Sequence, residues 1–211
     1  MAIQLAGNGG TIAEVDGTIW RAQRITDRPV EYGAGGYYKT AVTALTAAAP
    51  AAGANLVSFR WTSASLICLI RFCSITIQVS TASTAGLPEF AGFIARGFTA
   101  SDTAGTAVTL TGNAFKKRTS MATTALGDLR FASASTLTAG TRTLDSQPFI
   151  DVATPLALGS QQTATWNIDG PGDHPIVLAQ NEGMVFQNMT ALTAGVYKYT
   201  VSLEWAEVPS Y

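Results

Sequence analysis

The chain carries a single histidine, His174, set between Asp173 and Pro175. A serine–histidine–carboxylate site needs a serine and a carboxylate gathered around that ring in space, and sequence neighbours cannot supply both. Pro175 stiffens the entry to the apolar run that follows, so His174 reads as a turn residue. Paired carboxylates are a second route to hydrolysis, one acting as acid and the other as base or nucleophile across a sugar ring. The candidates are Glu204 with Glu207 or Glu182. Glu204 and Glu207 lie three positions apart in an alternating run, which puts them on opposite faces of a regular strand and makes them a poor pair.

Metal binding is no better served. Cys68/Cys73 and Asp169/Asp173 lack the clustering that zinc or calcium sites require. No Gly-Lys-Ser/Thr phosphate loop occurs, and Gly7-Asn8-Gly9-Gly10 follows no strand–helix context that would make it a dinucleotide fingerprint. Lys116-Lys117-Arg118, the one basic run, reads as a solvated loop beside Gly112-Asn113, with a phosphate or acidic neighbour as the alternative. Asn188-Met189-Thr190 fits an N-glycosylation acceptor, but nothing else points to secretion. The expectation is no catalytic residue, no metal and no cofactor.

The elements that carry these residues read as strands. In the run 197–205, Tyr197, Tyr199, Val201, Leu203 and Trp205 share one face, while Lys198, Thr200, Ser202 and Glu204 share the other. Before it, Ile176–Ala179 and Met184–Phe186 are apolar runs separated by Gln180-Asn181-Glu182-Gly183, a turn in which Gly183 is free to take φ > 0. Three β segments, read as a meander, thus close the chain. Further strands are expected at Tyr37–Thr46, Asn55–Trp61, Leu66–Ser80, Glu89–Phe98, Ala107–Leu110 and Gln162–Asp169. Leu129–Ala132 and Thr136–Leu137 give weaker signals, and Asp151–Gln161 reads as connection. Both parities of Leu66–Ser80 are apolar at first; afterwards only Cys73, Ile75, Ile77 and Val79 continue. A strand covered on both faces that then bends or bulges gives that pattern. A short helix could hide only at Leu87–Arg96 or Phe115–Leu126. About eight or nine strands with few helices make an all-β, antiparallel β-sandwich, of jelly-roll-like form.

The chain has 211 residues, of which 13% are charged, with 20 glycines and a net charge of −1. A compact chain of this size buries about 70% of its unfolded surface, enough for a real core. The charged fraction is about half the usual value. A surface this neutral is easiest to understand if much of it faces other protein subunits. No global field favours nucleic acid or an anionic membrane. Leu66–Val79 is too short and too polar to span a bilayer, and the first residues lack a basic stretch and an apolar core, so no signal peptide is visible. Cys68 and Cys73 sit about 17 Å apart and on opposite faces if their strand is regular, which predicts free, buried thiols, not a disulfide.

Residues 1–35 show no sustained period and are punctuated by glycine pairs, with brief extended pieces at Thr11–Val15 and Thr18–Arg21. They read as an extended N-terminal arm preceding a β-sandwich domain at 36–211. Ile3, Leu5, Ile12, Ile19 and Trp20 are its candidate interface residues. Trp20 either anchors in a partner's pocket or caps the core of its own domain.

Several stretches resemble tailed-bacteriophage virion proteins with jelly-roll-like β domains. They are Pro175–Phe186 (PIVLAQNEGMVF) followed by Tyr199–Val208 (YTVSLEWAEV), Phe59-Arg60-Trp61 near Leu69-Ile70-Arg71, Phe98–Thr103 (FTASDT), Leu137–Leu144 (LTAGTRTL) and Gln4–Asn8 (QLAGN). The likeness covers most of the chain, and its motifs are structural. It implies a virion component on the capsid surface, assembled in the host cytoplasm, of the cement or decoration type. Its partners would be the major capsid protein and itself, as a trimer or dimer, with no catalytic residues, nucleic acid or membrane. The alternatives are a tail or fibre protein that binds a receptor or glycan through sandwich loops, and a glycan-active enzyme.

Overall fold

The structure, a computed structural model, describes residues 5–6, 12–13, 36–46, 50–82, 86–117, 125–133, 136–168 and 174–209. The chain divides into two units, Met1–Tyr32 and Gly33–Tyr211. In the first, β1 (Leu5–Ala6) pairs antiparallel with β2 (Ile12–Ala13). Leu5 and Ile12 are described by their backbone alone; Ile3, Ile19 and Trp20 lie outside the described residues.

The second unit is a sandwich of two antiparallel sheets. Its strands are β3 (Gly36–Thr46), β4 (Ala54–Trp61), β5 (Ile67–Thr81), β6 (Glu89–Arg96), β7 (Thr106–Val108), β8 (Gly127–Phe131), β9 (Thr143–Leu144), β10 (Ile150–Ala153), β11 (Gln161–Asn167), β12 (Ile176–Leu178), β13 (Gly183–Asn188) and β14 (Val196–Val208). One sheet runs β11-β5-β14-β3, with β12 also on β5; the other runs β10-β6-β13-β4-β8-β7, with β9 also on β6. The longer strands of each sheet come alternately from the two halves of the chain, and chain neighbours such as β3 and β4, or β13 and β14, fall in opposite sheets. That is the strand order of a jelly roll, two Greek keys rolled into a sandwich. Its departure from the plain eight-strand form is the stretch between β6 and β10, which adds β7 and β8 beyond β4.

Burial follows the alternation read from the sequence. Tyr197, Tyr199, Val201, Leu203 and Trp205 of β14 are all within 1% of full burial. Trp205 stacks on Tyr38 with ring centroids 5.7 Å apart and tilts against Phe59 at 5.4 Å. Such aromatic pairs contribute about 1 kcal/mol beyond the area they bury. Together they fasten β14 to β3 in its own sheet and to β4 in the other.

The closing segments are strands but not a meander: β12 pairs with β5, β13 lies between β4 and β6, and β14 lies between β3 and β5. The turn between β12 and β13 takes its positive φ, 66°, at Asn181 instead of Gly183. Gly183 answers a different need, since a Cβ there would stand 2.1 Å from the Phe59 carbonyl oxygen. The supposed connection at Asp151–Gln161 begins inside a strand, β10, whose four residues alternate buried and exposed. Thr136–Leu137 makes no strand; Thr138 instead bridges to Thr103. Of the two stretches where a helix could hide, the first is β6; a 3-10 turn at Asn113–Phe115 ends where the second begins, and most of that second stretch, 118–124, lies outside the described residues.

The expected irregularity in Leu66–Ser80 is a bulge. Glu204 faces Phe72 and Trp205 faces Ile70, which leaves Arg71 of β5 without an opposite number. The extra residue reverses the side-chain parity. Cys68 and Cys73, expected on opposite faces, therefore both enter the core, fully buried and free. Burial raises both thiol pKa values, that of Cys68 further through the nearby Glu207 carboxylate. Among the described residues no helix is long and apolar enough to cross a membrane.

Candidate interaction surface

The carboxylates considered for hydrolysis are held apart. Glu204 lies on the outer face of β14, where its Oε1 pairs with Lys117 Nζ at 2.6 Å and its Oε2 accepts from the Tyr37 hydroxyl at 3.0 Å. Glu207 lies on the inner face, 1% exposed, accepting from Leu126 N at 3.0 Å and Trp205 Nε1 at 3.2 Å. Burial pushes its carboxyl up to about 7, against the pull of those two hydrogen bonds. Glu182 sits at the β12–β13 turn, bound to Arg96 at 2.8 Å, and Arg96 also holds Asp145. His174 is exposed at the entry to β12, while Asp169, Asp173 and Arg118 lie outside the described residues. Among the described residues no group of three metal-ligating side chains comes together.

Asn188 is no glycan acceptor in the folded domain. It is fully buried, donates to the carbonyls of Ala51 and Thr190, and accepts from the Tyr199 hydroxyl at 3.1 Å. Such a satisfied network fixes the start of β4 against the end of β13.

What the sandwich does present is a flat hydroxyl-bearing face. On the outer side of the four-stranded path, Thr43, Thr200, Thr76 and Thr163 fall in one row straight across β3, β14, β5 and β11. The next row is Ala41, Ser202, Ser74 and Thr165, and the one after it Lys39, Glu204, Phe72 and Asn167. Thr43 and Thr200 share a hydrogen bond of 3.0 Å, and Thr76 and Thr163 one of 2.8 Å. These ladders hold the hydroxyls in register without any net charge.

At one end of that face the 3-10 turn rises over the sheet. It closes a cleft of about 390 Å³ lined by Lys39, Ala41, Phe72, Phe115, Ser202 and Glu204, among others. Phe72 and Phe115 make its floor and flank apolar, and Lys39 and Glu204 mark its rim. A cleft of this size suits one bulky side chain or a small ring. The alternation of Ser and Thr in β5 and β14 is visible in sequence. Their alignment with Thr43 and Thr163, and the lining of one cleft by both Phe115 and Phe72, are not.

The loop system between β6 and β10 carries a buried ion pair. Arg60 donates to Asn181 Oδ1 at 2.7 Å and Ser101 Oγ at 3.2 Å, and Asp102 pairs with Arg142 in full burial. These contacts brace the insertion against the sandwich.

No known family profile matches the chain, and no curated protein does either.

Proposed function

We propose that this protein is a structural component of a tailed-phage virion, a cement or decoration protein that binds the head exterior. There it stabilises contacts between major capsid protein subunits. The observation that carries the reading is the neutral, ordered hydroxyl face on a rigid sandwich. Its Thr, Ser and Ala rows offer area and directional hydrogen bonds while asking no charged group to be desolvated, which is what repeated protein contacts need. The resemblance to virion proteins and the low charge content agree with it. A clip that binds only when capsomers are correctly spaced stabilises the expanded shell by mass action, and many copies of a weak contact hold as one strong one.

The test is location and attachment. Purified phage heads and tails are separated and the protein is sought in each; it is expected in the head fraction. Emptied heads then take up the full chain and lose that uptake when residues 1–35 are removed. A protein found in tails, or one whose ligand is a host glycan retained after that truncation, is a receptor binder and overturns the reading.

A further inference from the structure

Among the described residues, one edge of the sandwich has no strand beside it over part of its length. The N–H and C=O of a strand residue point to the same side, and that side alternates along the strand. Lys117 N donates to the Tyr37 carbonyl at 2.9 Å, and Tyr38 forms a bridge with Lys116, so the turn after β7 covers the outer edge of β3 at its start. The pairing of β3 with β14 then runs without a shift to Thr46. Ala41, Thr43 and Leu45 therefore aim their backbone groups away from β14, and among the described residues no strand meets them.

No lysine, proline or bulge blunts this stretch after Lys39, the usual means of protecting an edge. In the opposite sheet β8 and β7 continue beyond β4, and β3 lies against β8. Phe131 and Val108, which share the inward parity of buried Leu129, are only half-buried there. Among the described residues this corner has bonding groups along one wall and apolar side chains along the other. Near its end lies the cleft lined by Phe72 and Phe115, to which Lys39, Thr40 and Ala41 of β3 also contribute.

We infer that the free edge of β3 receives an extended strand from the first 35 residues of a second copy of this chain, with Trp20 seated in the Phe72–Phe115 cleft. Backbone bonds to an edge supply affinity, and a pocket for alternate side chains supplies selectivity. The 35 residues lead directly into Gly36, the first residue of β3. In Thr18-Ile19-Trp20-Arg21 the alternation puts Ile19 and Trp20 on opposite faces. With Trp20 on the outer face in the cleft, Ile19 turns inward over Phe131. This inference rests on the reading of residues 1–35 as an arm that reaches neighbours, and names where the arm lands.

Sedimentation velocity of the full chain over a concentration series, with no shells present, tests it. Association is expected, weakened about tenfold or more by Trp20→Ala and by Thr43→Pro. The proline removes an N–H that points away from β14, a position where an edge tolerates it, so folding is retained and checked by circular dichroism. As a second measurement, a Thr18→Cys chain, which keeps Trp20, is mixed with an Ala41→Cys chain and treated with a short bismaleimide; Cys68 and Cys73 are buried and stay silent. A cross-link between the two different chains is expected. A chain that stays monomeric, a Thr43→Pro variant that associates as tightly as the parent, or the absence of the mixed cross-link overturns the proposal. Shell binding is read separately, so a chain that associates yet ignores phage heads sinks the cement reading and leaves this one standing.

Discussion

Asp102 and Arg142 form an ion pair whose side chains are 0% and 4% exposed, respectively. Asp102 follows β6 and Arg142 precedes β9, so the pair closes the mouth of the long insertion. Asp102 Oδ1 also accepts from Gly140 N at 2.9 Å, and the guanidinium lies over the Phe98 ring with 5.3 Å to its centroid. Burial lowers the Arg142 pKa, and the neighbouring carboxylate opposes that fall. Both charges are tolerated in this dry place only because each neutralises the other.

Removing one partner leaves the other charge buried and uncompensated, which costs about 3–5 kcal/mol. Asp102→Asn is therefore expected to destabilise the domain by about that much in denaturant unfolding. Asp102→Asn combined with Arg142→Gln should destabilise less than the sum of the single changes, because the double variant buries no charge. Additive losses would show that the pair is not coupled.

Glu207 makes stability depend on pH near neutrality. Its folded pKa is about 7 against an ordinary 4.5, raised by burial and opposed by the hydrogen bonds from Leu126 and Trp205. The Cys68 thiol and the Tyr38 hydroxyl, itself pushed up to about 12, are the titratable groups whose values its charge raises. A raised folded pKa means that the folded state holds the proton more tightly. The contribution is thus complete below about pH 4.5 and lost as the pH rises through 7, a swing of up to about 3 kcal/mol. Glu207→Gln keeps an acceptor for both donors and cannot ionise. It should flatten the profile of Tm against pH between 5 and 8 and raise Tm at pH 8.

The two thiols report on global opening. Each is fully buried, and their pKa values are raised well above that of a free cysteine. Ellman's reagent should find no reactive thiol in the native protein and two in denaturant. Under native conditions the labelling rate should follow the unfolding rate, since neither group is reached by local fraying. Fast labelling of either cysteine would mean that the sandwich opens locally near the Arg71 bulge.

Gly183 is predicted to be intolerant of a side chain for lack of room. A Cβ would stand 2.1 Å from the Phe59 carbonyl oxygen and 3.0 Å from the Arg60 Cα. β13 lies inside its sheet with β4 on one side and β6 on the other, so it cannot shift to make space. Gly183→Ala should cost about 1–3 kcal/mol by overpacking, seen as a lower urea midpoint at unchanged slope. Gly53, whose Cβ would meet nothing within 4 Å, is the contrasting site, where only its φ of 72° is at stake.

The alternation of β14 and the change of pattern inside β5 were legible because each reports a local preference. One face of a strand is wetted or buried residue by residue, and a bulge interrupts that sequence of faces at one point. The strand β10 escaped notice because four residues are too few to show a period before Pro155 ends them. Which strands pair was not legible, since β14 joins β3 across more than a hundred and fifty residues of chain and no local propensity encodes that closure. The same holds for the Thr43–Thr200–Thr76–Thr163 row, the shared face of Cys68 and Cys73, and the cleft between Phe72 and Phe115. Composition and periodicity alone determined a weakly charged all-β sandwich. Register and the packing of one sheet on the other decided which hydroxyls align, which carboxylate is buried and which edge stays open, because those depend on hydrogen bonds and contacts between residues distant in sequence.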